Sequence, residues 1–190
     1  MITKGLDFEN VTLVGVIAAD MSLNVNDFRA AERTFDLITQ VTGRAGRGKT
    51  PGKAIIQTYN PDNETIINAA NQDYNAFYDE EIELRKMLIY PPFCEFINFV
   101  FTSDKMVEAM KIAEKFRSEL CRIISPSEAM FYTVTQAPLF KLNGKYRYRL
   151  LMKTRYSLTL YTKIAETLKK FSASKNPVQI SVDVNPSNMF

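Results

Sequence analysis

QVTGRAGRGKT, from Gln40 to Thr50, is the stretch that decides how the N-terminal part of this chain folds. From Gly43 onward it satisfies the phosphate-binding pattern G-x-x-x-x-G-K-[ST], which needs a strand before it and a helix after it. From Gln40 onward it is a Q-x-x-G-R-x-G-R segment, which places Arg44 and Arg47 three residues apart. The flanking sequence therefore distinguishes the two interpretations.

The residues before this stretch predict a helix, and the residues after it predict a strand. Residues 27–38 carry apolar side chains at helical spacing, namely Phe28, Ala31, Phe35 and Ile38. Asp27 is expected to be the N-cap of this helix. Pro51 and Gly52 predict a turn, and residues 53–59 are typical of a strand. A phosphate-binding loop needs the N–H groups of a following helix, so this order disfavours it and Lys49 loses that role.

The surviving interpretation gives the two arginines a chemical role. An arginine after a helix can reach a phosphate with its forked guanidinium and stabilise charge that develops during phosphoryl transfer. The segment resembles the last conserved motif of superfamily 2 helicases. That resemblance implies that Gln40, Arg44 and Arg47 project from the second RecA-like lobe toward ATP, with Gly43 in the nucleotide site. The alternative is a solvated basic turn, since arginines are favourable at helix C-termini.

The first twenty residues contain a second segment of this kind. Residues 11–20 are an apolar run that predicts a buried parallel strand ending at an acidic loop. The preceding residues, 3–8, read TKGLDF and resemble the K-G-x-D-F segment of superfamily 2 helicases. The resemblance implies that Gly5 allows close backbone approach, Asp7 couples to the nucleotide site and Lys4 lies near nucleic-acid phosphate. The alternative is an ordinary loop and strand of an α/β domain.

Longer phrases narrow the resemblance to one family. The phrase from Asp27 to Gly48, DFRAAERTFDLITQVTGRAGRG, is similar to the primosomal replication-restart helicases, the PriA (primosomal protein N′) family. Residues 72–93 resemble that family's linker, which ends in YPPF, and DVNP at residues 183–186 resembles its usual D-V-D-P ending. The similarity runs along essentially the whole chain.

The resemblance implies a function for a larger protein: an ATP-dependent 3′–5′ DNA helicase that recognises stalled forks and restarts replication by primosome assembly. It implies ATP and Mg²⁺ as cofactors, and zinc in an insertion that this chain lacks. Its implied partners are forked and single-stranded DNA, single-strand-binding protein and primosome loading proteins. The chain contains no His and no D-E-x-H element, so we expect it to hydrolyse no ATP alone. The alternative is a stand-alone, non-catalytic nucleic-acid-binding or protein-docking module.

Composition sets the broad class. Hydrophobic residues at 46% and charged residues at 24% are ordinary for a globular protein. The sequence predicts no membrane span and no signal peptide, and the resemblance implies a cytoplasmic bacterial protein associated with the nucleoid. Cys94 and Cys121 predict no disulfide framework and no metal site, and both are expected to be buried. The net charge of +3 permits nucleic-acid contact without requiring it.

The chain is predicted to have an α/β part followed by an α+β part. Residues 1–60 are expected to form the C-terminal half of a RecA-like lobe with a parallel sheet, and residues 61–93 a helical linker. Residues 94–190 are expected to form a ferredoxin-like βαββαβ domain. Its strands are predicted at 95–101, 131–136, 146–153 and 178–184, its helices at 105–124 and 158–171, and a turn at 142–145.

One basic patch stands out in the last domain. It comprises Lys141, Lys145, Arg147, Arg149, Lys153 and Arg155, interleaved with Tyr146, Tyr148 and Tyr156. On a strand, Lys145, Arg147 and Arg149 share one face, and Tyr146 and Tyr148 share the other. Basic groups can follow DNA phosphates while an aromatic ring such as Tyr148 stacks on a base. The alternative is an exposed basic strand whose tyrosines pack inward.

Overall fold

The computed structural model describes residues 11–45, 51–173 and 177–188. The chain divides into two compact units, Met1–Leu88 and Ile89–Phe190. The first contains a small parallel sheet and the second an antiparallel sheet, so the fold is mixed α/β. Among the described residues, no helix is both long enough and apolar enough to cross a membrane.

Among its described residues, the first unit has two strands and four helices. In chain order these are β1 (Leu13–Val16), α1 (Asp20–Leu23), α2 (Ala30–Thr42), β2 (Lys53–Ile56), α3 (Glu64–Asn71) and α4 (Tyr74–Met87). The two strands pair in parallel, from Leu13 opposite Lys53 to Val16 opposite Ile56. The predicted helix before residues 40–50 and the predicted strand after them are both confirmed.

The core of this unit lies between α2, α3 and α4. Phe35 and Ile38 of α2 are buried against Ile66 and Ala69 of α3 and Phe77 of α4. The rings of Phe35 and Phe77 stack with their centroids 4.4 Å apart. The helices α3 and α4, which fall in the predicted linker, therefore belong to this core.

The prediction of a buried first strand is wrong. Exposure alternates along β1 and β2, and Val16 and Ile56 pack on the core while Leu13 is 59% exposed and Ile55 is 50% exposed. Ile17, just after β1, is 79% exposed. In the described part of the chain the sheet has two strands and its helices pack on one face, so alternate side chains meet solvent.

The predicted N-cap at Asp27 is also wrong, because α2 begins three residues later and its N-cap is Arg29. Asp27 stabilises the turn that leads into the helix. Its carboxylate accepts a hydrogen bond from the Arg29 backbone N–H at 3.0 Å and pairs with Arg33 at 2.9 Å. Two residues separate Asp27 from the helix, so its side chain stabilises the turn before α2 and does not cap the first turn of the helix.

The part of the second unit that the structure describes has five strands and two helices. They are β3 (Glu95–Ser103), α5 (Met106–Ile123), β4 (Ala129–Phe131), β5 (Thr135–Leu142), β6 (Lys145–Thr154), α6 (Leu158–Ala173) and β7 (Gln179–Val184). The strand order is β4-β6-β3-β7, and β5 also pairs with β6. All of these pairs are antiparallel.

The hairpin between β5 and β6 follows the prediction, and the strand before it does not. Asn143 and Gly144 both have positive φ, as a type I′ turn requires, and they join Leu142 to Lys145. The single strand predicted at 131–136 is in fact two strands, β4 and β5, both paired with β6. Pro138 lies in β5, where the register shifts between Gln136 and Lys141, because proline cannot donate to a regular ladder.

The helices α5 and α6 pack on one face of this sheet and close a continuous core. Fully buried side chains of this core come from two strands and both helices: Phe99 and Phe101 of β3, Phe116 and Leu120 of α5, Leu150 and Met152 of β6, and Leu160 of α6. The ring of Phe116 contacts Phe99, Phe101 and Phe171, with centroids 5.1 to 5.5 Å apart. This unit therefore buries its own apolar residues.

The two cysteines differ in their surroundings. Cys94 is buried, as predicted, and its thiol donates to the Ile89 carbonyl at 3.1 Å. Burial raises the pKa of the Cys94 thiol. Cys121 is exposed, so the prediction that it is buried is wrong. It follows the buried Leu120 on α5, and one step of about 100° along a helix turns a side chain away from the core.

Asn185, just after β7, fastens this strand to β3. Its backbone N–H donates to the Phe96 carbonyl at 2.7 Å, and its side-chain Oδ1 accepts the Phe96 N–H at 3.1 Å. Its φ is 51°, a left-handed conformation that asparagine tolerates better than most residues. The DVNP phrase thus ends the sheet by a reciprocal pair of hydrogen bonds.

Candidate functional site

The arginine segment begins at the end of α2. Gln40 lies on the last turn of the helix and is exposed, and Arg44 follows two residues after Thr42. Gly43 keeps a right-handed helical conformation, with φ −66°, and its N–H bonds to the Thr39 carbonyl at 3.0 Å. The backbone therefore stays coiled as far as Ala45, and Gln40 and Arg44, four residues apart, lie on the same side of it.

The surroundings of the segment are the opposite of those of a phosphate-binding loop. The helix α2 precedes it and the strand β2 follows it, whereas that loop lies between a strand and a following helix. Its GKT letters thus precede a strand, which offers no helix N-terminus for a phosphate. Arg47 and Lys49 lie outside the described residues, as do Lys4, Gly5 and Asp7.

The two helicase-like segments lead into the same edge of the small sheet. Residues 1–10 precede Val11, and residues 46–50 precede Pro51. Just beyond these points the two segments of the chain come together. The Lys53 N–H donates to the Thr12 carbonyl at 2.8 Å, and the parallel pairing of β2 with β1 follows. The end of α2 reaches this edge through the same short connection.

Residues 27–48, the phrase that narrowed the resemblance to one family, contain α2 and several side chains that make local contacts around it. Arg85 of α4 pairs with Glu32 of α2 at 2.8 Å and with Glu81 at 2.7 Å. The guanidiniums of Arg29 and Arg85 also lie over the Phe28 ring, 4.3 and 5.4 Å from its centroid. These polar groups hold the helix that carries Gln40 and Arg44.

The basic strand β6 has two unlike faces. Lys145, Arg147 and Arg149 share the face opposite the helices, as predicted, with Val100 opposite Arg149 and Thr102 opposite Arg147 on β3. We call this helix-free side the open face. Arg155 lies just beyond β6 and is exposed. Lys141 pairs with Tyr146, so it faces the other side, with its ammonium 4.8 Å from the Tyr146 ring centroid.

Two members of the predicted patch are covered by neighbouring side chains. Tyr148 is 7% exposed and belongs to the core, which is the inward-packing alternative. Lys153 is 8% exposed, with its ammonium 4.1 Å from the Tyr90 ring centroid and further contacts to Phe96 and Tyr132. Tyr90 opens the YPPF phrase, so this phrase covers one end of the open face. The sequence pattern could not show that cover, because Tyr90 and Lys153 are far apart in the chain.

The middle of the open face contains a depression of ≈ 320 Å³, which we call the sheet groove. Six of the residues that line it are Asn98, Pro138, Arg147, Arg149, Ser181 and Asp183. Four of them, Asn98, Pro138, Ser181 and Asp183, were absent from the predicted site. The alternation of each strand gives their face, but grouping them requires the pairing of Asn98 with Asp183 and of Val100 with Ser181 across β3 and β7.

Burial lowers the pKa of the Arg149 guanidinium, because desolvation penalises its charged form. Arg147 is less enclosed, and its Nη1 donates to the Leu139 carbonyl at 3.4 Å. Within the described ranges, no three His, Cys, Asp or Glu side chains are grouped closely enough to hold a metal ion. The open face therefore offers cationic and polar groups suited to an anionic or hydrogen-bonding partner.

The class of protein follows from comparison with known sequences. Residues 86–187 match the family described as "Primosomal protein N C-terminal domain". Along its whole length the chain is 38% identical to replication restart protein PriA of Bacillus subtilis, and 40% identical to that of Chlamydia muridarum. A solved structure, the de novo designed protein Foldit4, resembles half of the chain with a TM-score of 0.39 and 12% identity, too distant to bear on the fold.

The chain belongs to the PriA family of replication restart proteins and corresponds to their C-terminal region. It spans about a quarter of the length of those relatives, 24% of the Bacillus subtilis protein and 25% of the Chlamydia muridarum protein.

Proposed function

We propose that the chain is the C-terminal part of an ATP-dependent 3′–5′ DNA helicase that recognises stalled forks and restarts replication by primosome assembly. The observation that carries this proposal is the Q-x-x-G-R segment at the end of α2, between a helix and a strand, in a chain of the PriA family. The activity belongs to the whole protein. The 190 residues alone hydrolyse no ATP, since they contain no phosphate-binding loop in the required strand–loop–helix order.

In this proposal the first unit is the C-terminal half of a RecA-like lobe, and the second is a ferredoxin-like domain. The parallel pairing of β1 and β2 through α2 supports the first assignment. The order β3-α5-β5-β6-α6-β7 supports the second, as do the central β3 and β6 with β7 on one side and β4 and β5 on the other. Residues 61–93 contain the helical connection between them.

The proposed nucleotide site uses both helicase-like segments. Gln40, Arg44 and Arg47 point toward ATP and Mg²⁺ held mainly by a lobe outside this chain, and Gly5, Asp7 and Gly43 complete the protein's side. The chemistry is stabilisation of charge on the phosphates by forked guanidiniums. Two observations support this grouping: Gln40 and Arg44 lie on one side of the helix end, and both segments lead into one sheet edge.

The test is ATP turnover by the full-length protein. Arg44→Ala should lower DNA-stimulated turnover about 10³-fold or more, with ATP binding less affected, and Arg44→Lys should not rescue because lysine lacks the fork. Lys86→Ala, a charge removal at an exposed position of α4, is the matched control and should leave turnover unchanged. Near-normal turnover in Arg44→Ala and Arg47→Ala would refute the site. Loss of ATP binding in Lys49→Ala alone would restore the phosphate-binding loop.

The second unit is proposed to bind DNA through its open face. Lys145, Arg147 and Arg149 would follow the phosphates of a single strand, with Arg155 beyond β6 extending the contact. Lys4, in the first unit, is proposed separately to lie near nucleic-acid phosphate. Lys153 belongs to the basic patch predicted from the sequence, and we expect it to contribute less to DNA binding because the Tyr90 ring covers its ammonium. Tyr148 is in the core, so Tyr148→Ala is expected to lower stability and not base stacking.

Salt dependence tests this DNA face. Each phosphate contact to a single strand contributes about −0.7 to the slope of log affinity against log salt. Replacing Arg147 and Arg149 together by alanine should therefore flatten the slope by about 1.4 on a dT strand and weaken binding of every sequence. Lys111→Ala, at an exposed position on α5, is the control. An unchanged slope in the double variant would leave the basic strand as solvated surface.

The partners and location follow from the family and remain part of the proposal. The whole protein would act on forks and single-stranded DNA, and would meet single-strand-binding protein and primosome loading proteins. Its place would be the bacterial cytoplasm, at the nucleoid. Zinc would belong to an insertion outside these residues.

A further inference from the structure

The sheet groove has a charge pattern that a phosphate track does not explain. Arg147 and Arg149 line one side, on β6, and Asp183 lines the other, on β7, with β3 between them. Two strand spacings separate the sides, about 10 Å. The carboxylate weakens the attraction of this place for a phosphate and adds an acceptor that a phosphate cannot use.

Asn98 supplies a further requirement from the floor of the groove. Its side-chain Oδ1 is buried and has no hydrogen-bond partner among the described residues. Asn98 stands directly opposite Asp183 in the pairing of β3 with β7, so both acceptors lie on the same side. A buried acceptor without a donor is costly, and a ligand that brings N–H groups would satisfy it.

The sheet groove is therefore complementary to a flat group that has acceptors on one edge and N–H donors on the neighbouring edge. Guanine has this arrangement: N7 and O6 accept on one edge, and the ring N–H and amino group donate on the neighbouring one. A forked arginine pairs well with O6 and N7. Thymine has no amino group, and adenine and cytosine have no ring N–H beside their amino group to present to a carboxylate.

We propose that the sheet groove binds one unpaired guanine base of single-stranded DNA. In this arrangement Arg147 or Arg149 donates to O6 and N7, Asp183 accepts from the ring N–H and the amino group, and Asn98 accepts the second amino hydrogen. The groove volume of ≈ 320 Å³ lies at the lower end of the range for small-ligand sites. Pro138 and the strand backbone provide a surface against which the ring can lie. The proposal rests on DNA binding by the open face.

The experiment compares short oligonucleotides with the 190-residue chain, by fluorescence anisotropy. Each is a dT strand with one central dG, dA, dC or dT. The dG strand should bind about 10-fold or more tightly than the others, the scale of one good bidentate base contact. Replacing dG by inosine, which lacks the amino group, should remove part of this preference.

Asp183→Asn decides between a base pocket and a phosphate track by the sign of its effect. A guanine pocket predicts weaker binding of the dG strand and little change for the others. A phosphate track predicts tighter binding of all four strands, because a repulsive charge has gone. Gln179→Ala, at an exposed β7 position on the same face outside the named lining residues, is the control and should change nothing.

Replacing Arg147 and Arg149 together by lysine separates this proposal from the proposed DNA face itself. Lysine keeps the charge that attracts phosphate but lacks the fork, so the dG preference should fall while binding of the dT strand and its salt slope persist. Equal affinity for all four strands, with the double-alanine variant still weakening them, would overturn the guanine site and leave the DNA face. No binding of any strand would overturn both.

Discussion

The two units of this chain bury their apolar side chains to different extents. The second buries Phe99, Phe101 and Phe116 completely between a five-stranded sheet and two helices. The first has a two-stranded sheet on which Leu13 and Ile55 are half exposed or more. The first unit is stabilised by the packing of its three helices α2, α3 and α4 and by the polar contacts of Arg85. The comparison teaches that one chain can join a unit with a fully buried core to a unit whose small sheet leaves apolar side chains exposed.

The largest expected effect is in the core of the second unit. Phe116→Ala should lower the free energy of unfolding of that unit by about 3–5 kcal/mol, because it removes a ring that touches three others. Urea denaturation measures the loss, and hydrogen exchange assigns it. Protection should fall in β3, β6 and α5 and persist in α2. Ile123→Ala, on the same helix but 38% exposed, should cost under about 1 kcal/mol. Equal loss of protection in both units would break the comparison.

A smaller effect is expected from the polar contacts of the first unit. The Arg85 side chain is 13% exposed and joins Glu32 to Glu81. Burial lowers the pKa of Arg85, but its hydrogen bonds to these carboxylates raise it by more, so the group stays charged. Arg85→Ala should cost about 1–3 kcal/mol, since the partner carboxylates remain without it. Thermal unfolding followed by exchange in α2 measures this.

The control for that change is Lys86→Ala. Lys86 faces Glu83 at 3.7 Å and both are exposed, so the expected cost is about 0.5 kcal/mol or less. If Arg85→Ala costs no more than Lys86→Ala, the first unit does not depend on its polar contacts, and the helical core alone holds α2.

The smallest effect is a pH dependence confined to the second unit. The Ser125 backbone N–H and the Lys163 ammonium bond to Glu128 and lower its carboxyl pKa from 4.5 to about 2. A depressed folded-state pKa stabilises the fold above the ordinary value, and this stability is lost as pH falls from 4.5 toward 2. Glu128→Gln should therefore narrow the difference in urea midpoint between about pH 6 and about pH 3. An identical difference in the variant would contradict the assignment.

Local patterns predicted much of the fold. Alternation along β6 gave its two faces, Asn143 and Gly144 gave the hairpin, and helical spacing gave α2 and α5. Burial was harder, because exposure depends on what lies across the sheet: Leu13 is apolar, yet its face is open. The division of one predicted strand into β4 and β5 falls at residues 132–134, where Tyr132, Thr133 and Val134 are all residue types typical of a strand.

The candidate sites divide in the same way. Gln40 and Arg44 could be placed from sequence because a helix, a short connection and a strand are local features. The sheet groove could not, because Asn98, Arg149 and Asp183 come from three strands far apart in the chain and meet only through register. Lys153 lost its predicted exposure to Tyr90 for the same reason.

The position of β7 beside β3 has a consequence for synthesis of this chain. Gln179 begins β7 76 residues after Ser103 ends β3 (179 − 103). At about 5–20 residues per second, the ribosome needs roughly 4–15 s to make this interval. During that time the apolar strand β3 can pair with β6 on one side, while its other edge stays open to any extended peptide nearby. The Asn185 contacts that seal this edge form only afterwards, so the nascent chain passes through a period in which it needs protection from its neighbours.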